Sequence, residues 1–69
     1  MKIDYQNHVV TSKTVQFEGE TEDGKGFTIV ANWNDWDDWT VDEVNWHEED
    51  GGTDEEVEEI KEQFLNDMN

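Results

Sequence analysis

Residues 13–33 read "KTVQFEGETEDGKGFTIVANW", two runs of alternating apolar residues around an acidic, glycine-bearing break. The pattern is that of a β-hairpin. Its loop length decides the fold, because a slip of one residue turns every side chain to the other face of the sheet. A two-residue turn at Asp23-Gly24 pairs Phe17 with Val30 and strands Phe27, Ile29, Ala31 and Trp33 among Glu18 and Glu20. A three-residue loop, Glu22-Asp23-Gly24, pairs Thr21 with Lys25 and Phe17 with Ile29 instead. Val15, Phe17, Phe27, Ile29, Ala31 and Trp33 then share one face, and Glu18, Glu20 and Thr28 meet water. The second register gives a single buried face, and Gly24 supplies the left-handed residue of a type I turn with a bulge. Strands are therefore expected over about 14–21 and 25–33, with Val30 outward.

The flanks extend this hairpin. In "KIDYQNHVVTSK", residues 2–13, Ile3 and Tyr5 alternate ahead of Val9 and Val10, which reads as an N-terminal strand at the edge of the sheet or feeding into the hairpin. "TVDEVNWHE", residues 40–48, carries two signals. Thr40 and Glu43 fit a capping box, with Trp39 and Val44 as its hydrophobic staple, and so suggest a short helix. The β-branched residues and the two-residue spacing of Val44 and Trp46 suggest a strand. A lone hairpin is a poor platform in water, so a third strand over 41–47 is preferred, and "EEDGG" becomes a turn.

"TDEEVEEIKEQFLNDMN", residues 53–69, is an amphipathic helix over about 54–67. Thr53 caps it, Glu56 closes the capping box, and Asp54 and Glu55 suit the positive end of the helix dipole. Val57, Ile60, Phe64 and Met68 form one stripe with Leu65 at its edge. Packed on the hairpin's apolar face, this stripe gives an α+β fold: a small antiparallel sheet against one C-terminal helix, as a single domain over 1–69.

The chain has 69 residues, of which 20 are acidic and 4 basic, for a formal net charge of −16. That length allows one small core near the lower limit for independent folding. With no cysteine, neither a disulfide nor a thiolate zinc site can staple it. High charge with 32% hydrophobic residues resembles a chain that orders only on binding. The large, periodic apolar residues and the absence of proline argue for a folded domain instead. No apolar run approaches a membrane span, and "MKIDYQNHVV" lacks a signal peptide's hydrophobic stretch, so a soluble, cytoplasmic protein is expected. Residues 34–69 hold fifteen of the acids against Lys61 alone, so the acidity belongs to the second half.

Catalysis is poorly supported. Acid–base carboxylates need a pocket that separates their pKa values, and so small a core leaves little room for one. His8 and His47 are far apart in sequence, Ser12 has no nucleophile context, and the glycines form no phosphate-cradling loop. Asp35, Asp37, Asp38, Asp42 and Glu43 are oxygen ligands of the kind calcium takes. Read from Asp35, however, the calcium-loop template meets Trp39, Thr40 and Trp46 where it needs a ligand, a glycine and a glutamate. Calcium or another divalent ion is the third reading, and it would declare itself by a metal-dependent rise in Tm.

Direct nucleic-acid binding is disfavoured, since phosphates repel a surface with so few cations. The charge suggests imitation of nucleic acid. The apolar helix stripe leaves Glu55, Glu58, Glu59 and Glu62 on the outer side. From Asp54 to Glu62 the acids recur about once per 2.2 Å of helix axis, against about one phosphate per 1.7 Å of duplex DNA. Glu55–Glu59 and Glu58–Glu62 are like-charge pairs four apart, each costing a few tenths of a kcal/mol, and a cationic partner would relieve them. Charge that merely keeps a small protein soluble explains the same composition.

"ANWNDWDDWTVDEVNW", residues 31–46, interleaves four tryptophans with acids. Trp33 continues the hairpin's inward register and Trp46 sits on the third strand, so both are assigned to the core. Trp36 and Trp39, between strands and flanked by Asp35, Asp37 and Asp38, either close the open end of the core or form a contact patch. Tryptophan is enriched at interface hot spots and is the best cation–π acceptor, and aspartates around it would pair with the same cations. In composition alone the chain resembles the small, very acidic proteins, many encoded by phages and mobile elements, that occupy nucleic-acid-binding surfaces. The expected function is a non-enzymatic binding module that blocks or modulates a basic, nucleic-acid-binding protein. Its carriers would be Asp35, Trp36, Asp37, Asp38, Trp39, Glu55, Glu58, Glu59 and Glu62, with no cofactor and no metal. A small acidic accessory domain without mimicry is the alternative.

Overall fold

A computed structural model describes residues 1–11, 14–33 and 38–68. Among these the chain forms strands β1 (Lys2–Val10), β2 (Val15–Glu20), β3 (Gly26–Trp33) and β4 (Trp39–Trp46), followed by helix α1 (Asp54–Met68). The strands lie in the order β1-β2-β3-β4, each antiparallel to the next. The fold is the small α+β domain that the hydrophobic pattern implies, with β1 and β4 at the two edges of the sheet.

The hairpin takes the three-residue loop. Phe17 pairs with Ile29 and Glu18 with Thr28. The Thr21 amide donates to the Lys25 carbonyl at 2.9 Å, the Gly24 amide donates to the Thr21 carbonyl at 3.0 Å, and Gly24 sits at φ +85°. Register and burial agree: Phe17, Phe27, Ile29 and Ala31 are buried on one face, where Ile60 and Phe64 of α1 cover them. The opposite face carries Gln16, Glu18, Thr28, Asn32 and Asn45 to solvent, as an antiparallel sheet with one covered side permits.

Residues 40–46 are strand, but β4 starts at Trp39, two residues earlier than expected. Their alternation is interrupted at one point. Val30 pairs with Glu43 and Ala31 with Val41, so Asp42 is an extra residue in β4. The bulge resets the alternation. Val41, Val44 and Trp46 consequently all pack on the core, although Val41 and Val44 are three residues apart.

The tryptophans require one correction. Trp46 is half-buried and meets Phe27 edge-on, with ring centroids 5.9 Å apart, as a core residue should. Trp33 is not in the core. It is 59% exposed, because it is the last residue of β3, and its ring instead stacks on Trp39, with centroids 6.3 Å apart. Trp39, read as lying between strands, opens β4 directly opposite Trp33.

Helix α1 starts as its capping box requires. The Glu56 amide donates to Thr53 Oγ1 at 3.2 Å, and the Thr53 amide donates to Glu56 Oε1 at 3.1 Å. Lys25 of the hairpin loop lies 3.7 Å from the same Glu56 oxygen and ties the loop to the helix N-terminus. Thr53→Ala removes the cap and should cost about 1 kcal/mol, measured by denaturant unfolding. Among the described residues no helix is long and apolar enough to cross a membrane.

Candidate binding surface

Glu55, Glu58, Glu59 and Glu62 are all exposed on α1, with Ile60 and Phe64 buried beneath them. The 3.6-residue period that seats Ile60 and Phe64 on the sheet leaves these four carboxylates no apolar surface to cover. Countercharge is sparse. Lys61 lies 3.9 Å from Glu58, and Glu55, Glu59 and Glu62 have no ion pair among the described residues. Glu56, counted with the acidic run in sequence, is instead half-buried and engaged by Thr53 and Lys25. The outward charge is therefore the four glutamates with Asp54. Over Glu55–Glu62 this is about one carboxylate per 3 Å of helix axis.

The tryptophan-rich segment is described in part. Asp35, Trp36 and Asp37 lie outside the described residues. Asp38 is exposed, and Trp39 is half-buried, edge-on to both Phe17 and Phe64 with centroids at 5.8 and 6.0 Å. Trp39 thus helps to close the core at that end and, through its stack with Trp33, also reaches the surface.

Beside these two rings lies a feature that the sequence reading missed. Tyr5, Val10, Phe17, Trp33, Trp39 and Met68, with His8 and Val15, line an apolar groove of about 320 Å³. A large bulge in β1 builds one wall. Asp4 pairs with Glu18 and Val9 with Gln16, so Tyr5, Gln6, Asn7 and His8 together face Phe17. The Asp4 carboxylate organises this bulge. It accepts from the Gln6 amide at 3.0 Å, the Asn7 amide at 3.3 Å and Asn7 Nδ2 at 2.8 Å. The Asn7 side chain foremost, then the two backbone amides, hold its carboxyl below the usual aspartate range. The bulge also shows in exposure. Val9 and Val10 are 58% and 68% exposed at the end of the strand. An Asp followed three residues later by Asn was the available signal, since such side chains cap tight turns.

Tyr5 links groove and helix. Its ring meets Phe17 at 5.8 Å and Phe64 at 6.2 Å, and its hydroxyl donates to Asp67 Oδ2 at 2.6 Å. Burial, and then the hydrogen bond and negative charge of Asp67, push the phenol well above its ordinary value. Tyr5 is the chain's one tyrosine, so its ionisation can be followed alone by ultraviolet absorbance. The neutral phenol is the form the fold favours. Its contribution to stability is complete below the ordinary phenol value of about 10 and declines as pH rises toward the raised one. In an alkaline titration tyrosinate should form late, in step with unfolding. Ionisation at the ordinary value with the fold intact would show that in solution Tyr5 is neither buried nor bound to Asp67.

At the opposite end of α1, Glu59 borders an acidic cleft of about 330 Å³ with Met1, Glu22, Asp23 and Glu56. The N-terminal ammonium lies 3.7 Å from Glu22 there. Among the described residues no three of His, Asp or Glu are grouped so as to hold a metal ion. The arrangement offers an acidic outer face on α1 and, at the C-terminal end of the same helix, an aromatic groove. Comparison with protein-family models, with curated proteins and with solved structures found no match.

Proposed function

We propose that this protein is a non-enzymatic acidic module that occupies the basic, nucleic-acid-binding surface of another protein. The observation that carries the reading is the outer face of α1: Glu55, Glu58, Glu59 and Glu62 are exposed together, and among the described residues Lys61, on Glu58, is the one cation ion-paired with any of them. Their spacing of about 3 Å along the axis is close to the 3.4 Å between phosphates on one DNA strand. A basic surface that reads phosphates would therefore meet a comparable row of anions. Like-charge neighbours four apart repel in the free protein, and a cationic partner turns that repulsion into attraction.

The test is capture of partners from the native host on the tagged chain at low salt, followed by competition with nucleic acid. A captured protein that binds nucleic acid and releases it when this chain is added supports the reading. Captured proteins without nucleic-acid affinity, or simultaneous binding of nucleic acid and this chain, would reject it in favour of an accessory acidic domain.

A further inference from the structure

Building on the acidic-module reading, we propose that the apolar groove receives an arginine side chain of the basic partner and anchors it. Three features of the groove select this occupant. The first is shape and lining: Trp33, Trp39, Tyr5 and Phe17 supply aromatic rings, while Val10, Val15 and Met68 supply aliphatic surface. Trp33 stacks on Trp39 and is 59% exposed, so the ring pair reaches the surface.

The second is charge. The groove's lining contains neither lysine nor arginine. Met68 places the C-terminal end of α1 on it, where the helix dipole is negative and the last turn holds no basic residue. Asp67 is bound to Tyr5 at this end, and exposed Asp38 adjoins Trp39 in the chain. A second copy of this chain, with its own charge of −16, is a poor occupant. A cation is a good one.

The third is the match to guanidinium. Arginine carries an apolar stem that packs on aliphatic surface and a planar, weakly hydrated head that stacks on aromatic faces and pairs with carboxylates. Tryptophan faces attract it most strongly. The groove lies at the C-terminal end of the same helix, where Met68 of the sheet-facing stripe reaches it. Glu62 and Met68 are separated by about 9 Å of helix rise, within reach of neighbouring residues on one basic segment. The helix glutamates then give long-range attraction, and the groove gives a short-range contact that salt screens less.

A nona-arginine peptide is a suitable probe, titrated into the full chain near neutral pH by calorimetry and by the tryptophan indole N–H signals. The Trp33 indole signal should move on titration. Trp33→Ala should weaken binding about fivefold with a native circular dichroism spectrum. Val10→Lys, at an exposed position, puts a competing cation at the groove and should weaken binding more than Asn45→Lys, which adds the same charge on the sheet's other face. Should Trp33→Ala fail to fold, the two lysine variants decide. Wild-type affinity in Trp33→Ala, or equal effects of the two lysines, overturns the groove as anchor. If binding in that case still falls in the variant with Glu55, Glu58, Glu59 and Glu62 changed to Gln, the acidic-module reading survives alone. If that variant also binds normally, both fail.

Discussion

Phe64→Ala should destabilise the domain by about 3–5 kcal/mol and leave much of it unfolded at room temperature. Phe64 is completely buried, and its ring meets Phe17 at 5.2 Å, Trp39 at 6.0 Å and Tyr5 at 6.2 Å. It is therefore the point where α1 joins β1, β2 and β4. A domain of this size has a total stability of about 3–10 kcal/mol, so losing this one side chain removes a large share of it. The core is too small for neighbouring layers to collapse into the cavity. Urea unfolding checks the value. A loss below about 1 kcal/mol would mean that the helix does not rest on these rings.

Gly19→Ala should cost about 1–3 kcal/mol, an unusual penalty for a single methyl group. A Cβ at position 19 would lie 2.5 Å from Phe27 Cζ, 2.6 Å from Phe27 Cε1 and 2.7 Å from the Lys2 carbonyl oxygen. The Phe27 ring, itself fully buried, thus rests directly on the Gly19 backbone. Trimming that ring should relieve part of the clash. The double variant Gly19→Ala/Phe27→Leu is expected to be less destabilised than the sum of its singles. Relief should be incomplete, because the Lys2 carbonyl is backbone and cannot move away cheaply. Strict additivity would show that the two positions are not in contact.

What could be read in the chain, and what could not, follows from the range of the interactions involved. The hairpin register was legible because a buried face and the loop chemistry around Gly24 demand the same pairing. The helix was legible because Thr53, Glu56 and the Val57–Ile60–Phe64 stripe are local signals. Bulges are set by partners across the sheet, and these a periodicity analysis does not see. The extra residue Asp42 in β4 breaks the alternation between Val41 and Val44, and the four residues of β1 opposite Phe17 break it after Ile3 and Tyr5, so His8 fits no strand pattern. The groove followed the same logic: its walls come from β1, β2, β3, β4 and α1, so no single stretch announces it. Trp33 was misassigned because alternation fixes which side of a strand a residue occupies. It does not say whether the helix extends far enough to cover it. The helix glutamates, by contrast, are exposed where their spacing put them.

The central claim is that the position of charge on α1, rather than the total charge, serves a basic partner. Two variants with the same net charge separate these effects most directly: Glu55, Glu58, Glu59 and Glu62 to Gln on the helix, against Asp23→Asn with Glu43, Glu48 and Glu49 to Gln elsewhere. All eight side chains are exposed. Affinity for the captured partner would be measured across a salt series, with circular dichroism and a thermal melt as controls on the fold. The helix variant should keep a native spectrum and melt close to wild type, because the two repulsive pairs four apart that it removes offset the Glu58–Lys61 ion pair and the dipole contact of Glu55 that it loses. Its affinity should fall and its salt dependence flatten, while the control variant stays close to wild type. Equal losses in the two variants, or full affinity in the helix variant with its fold intact, would contradict the claim.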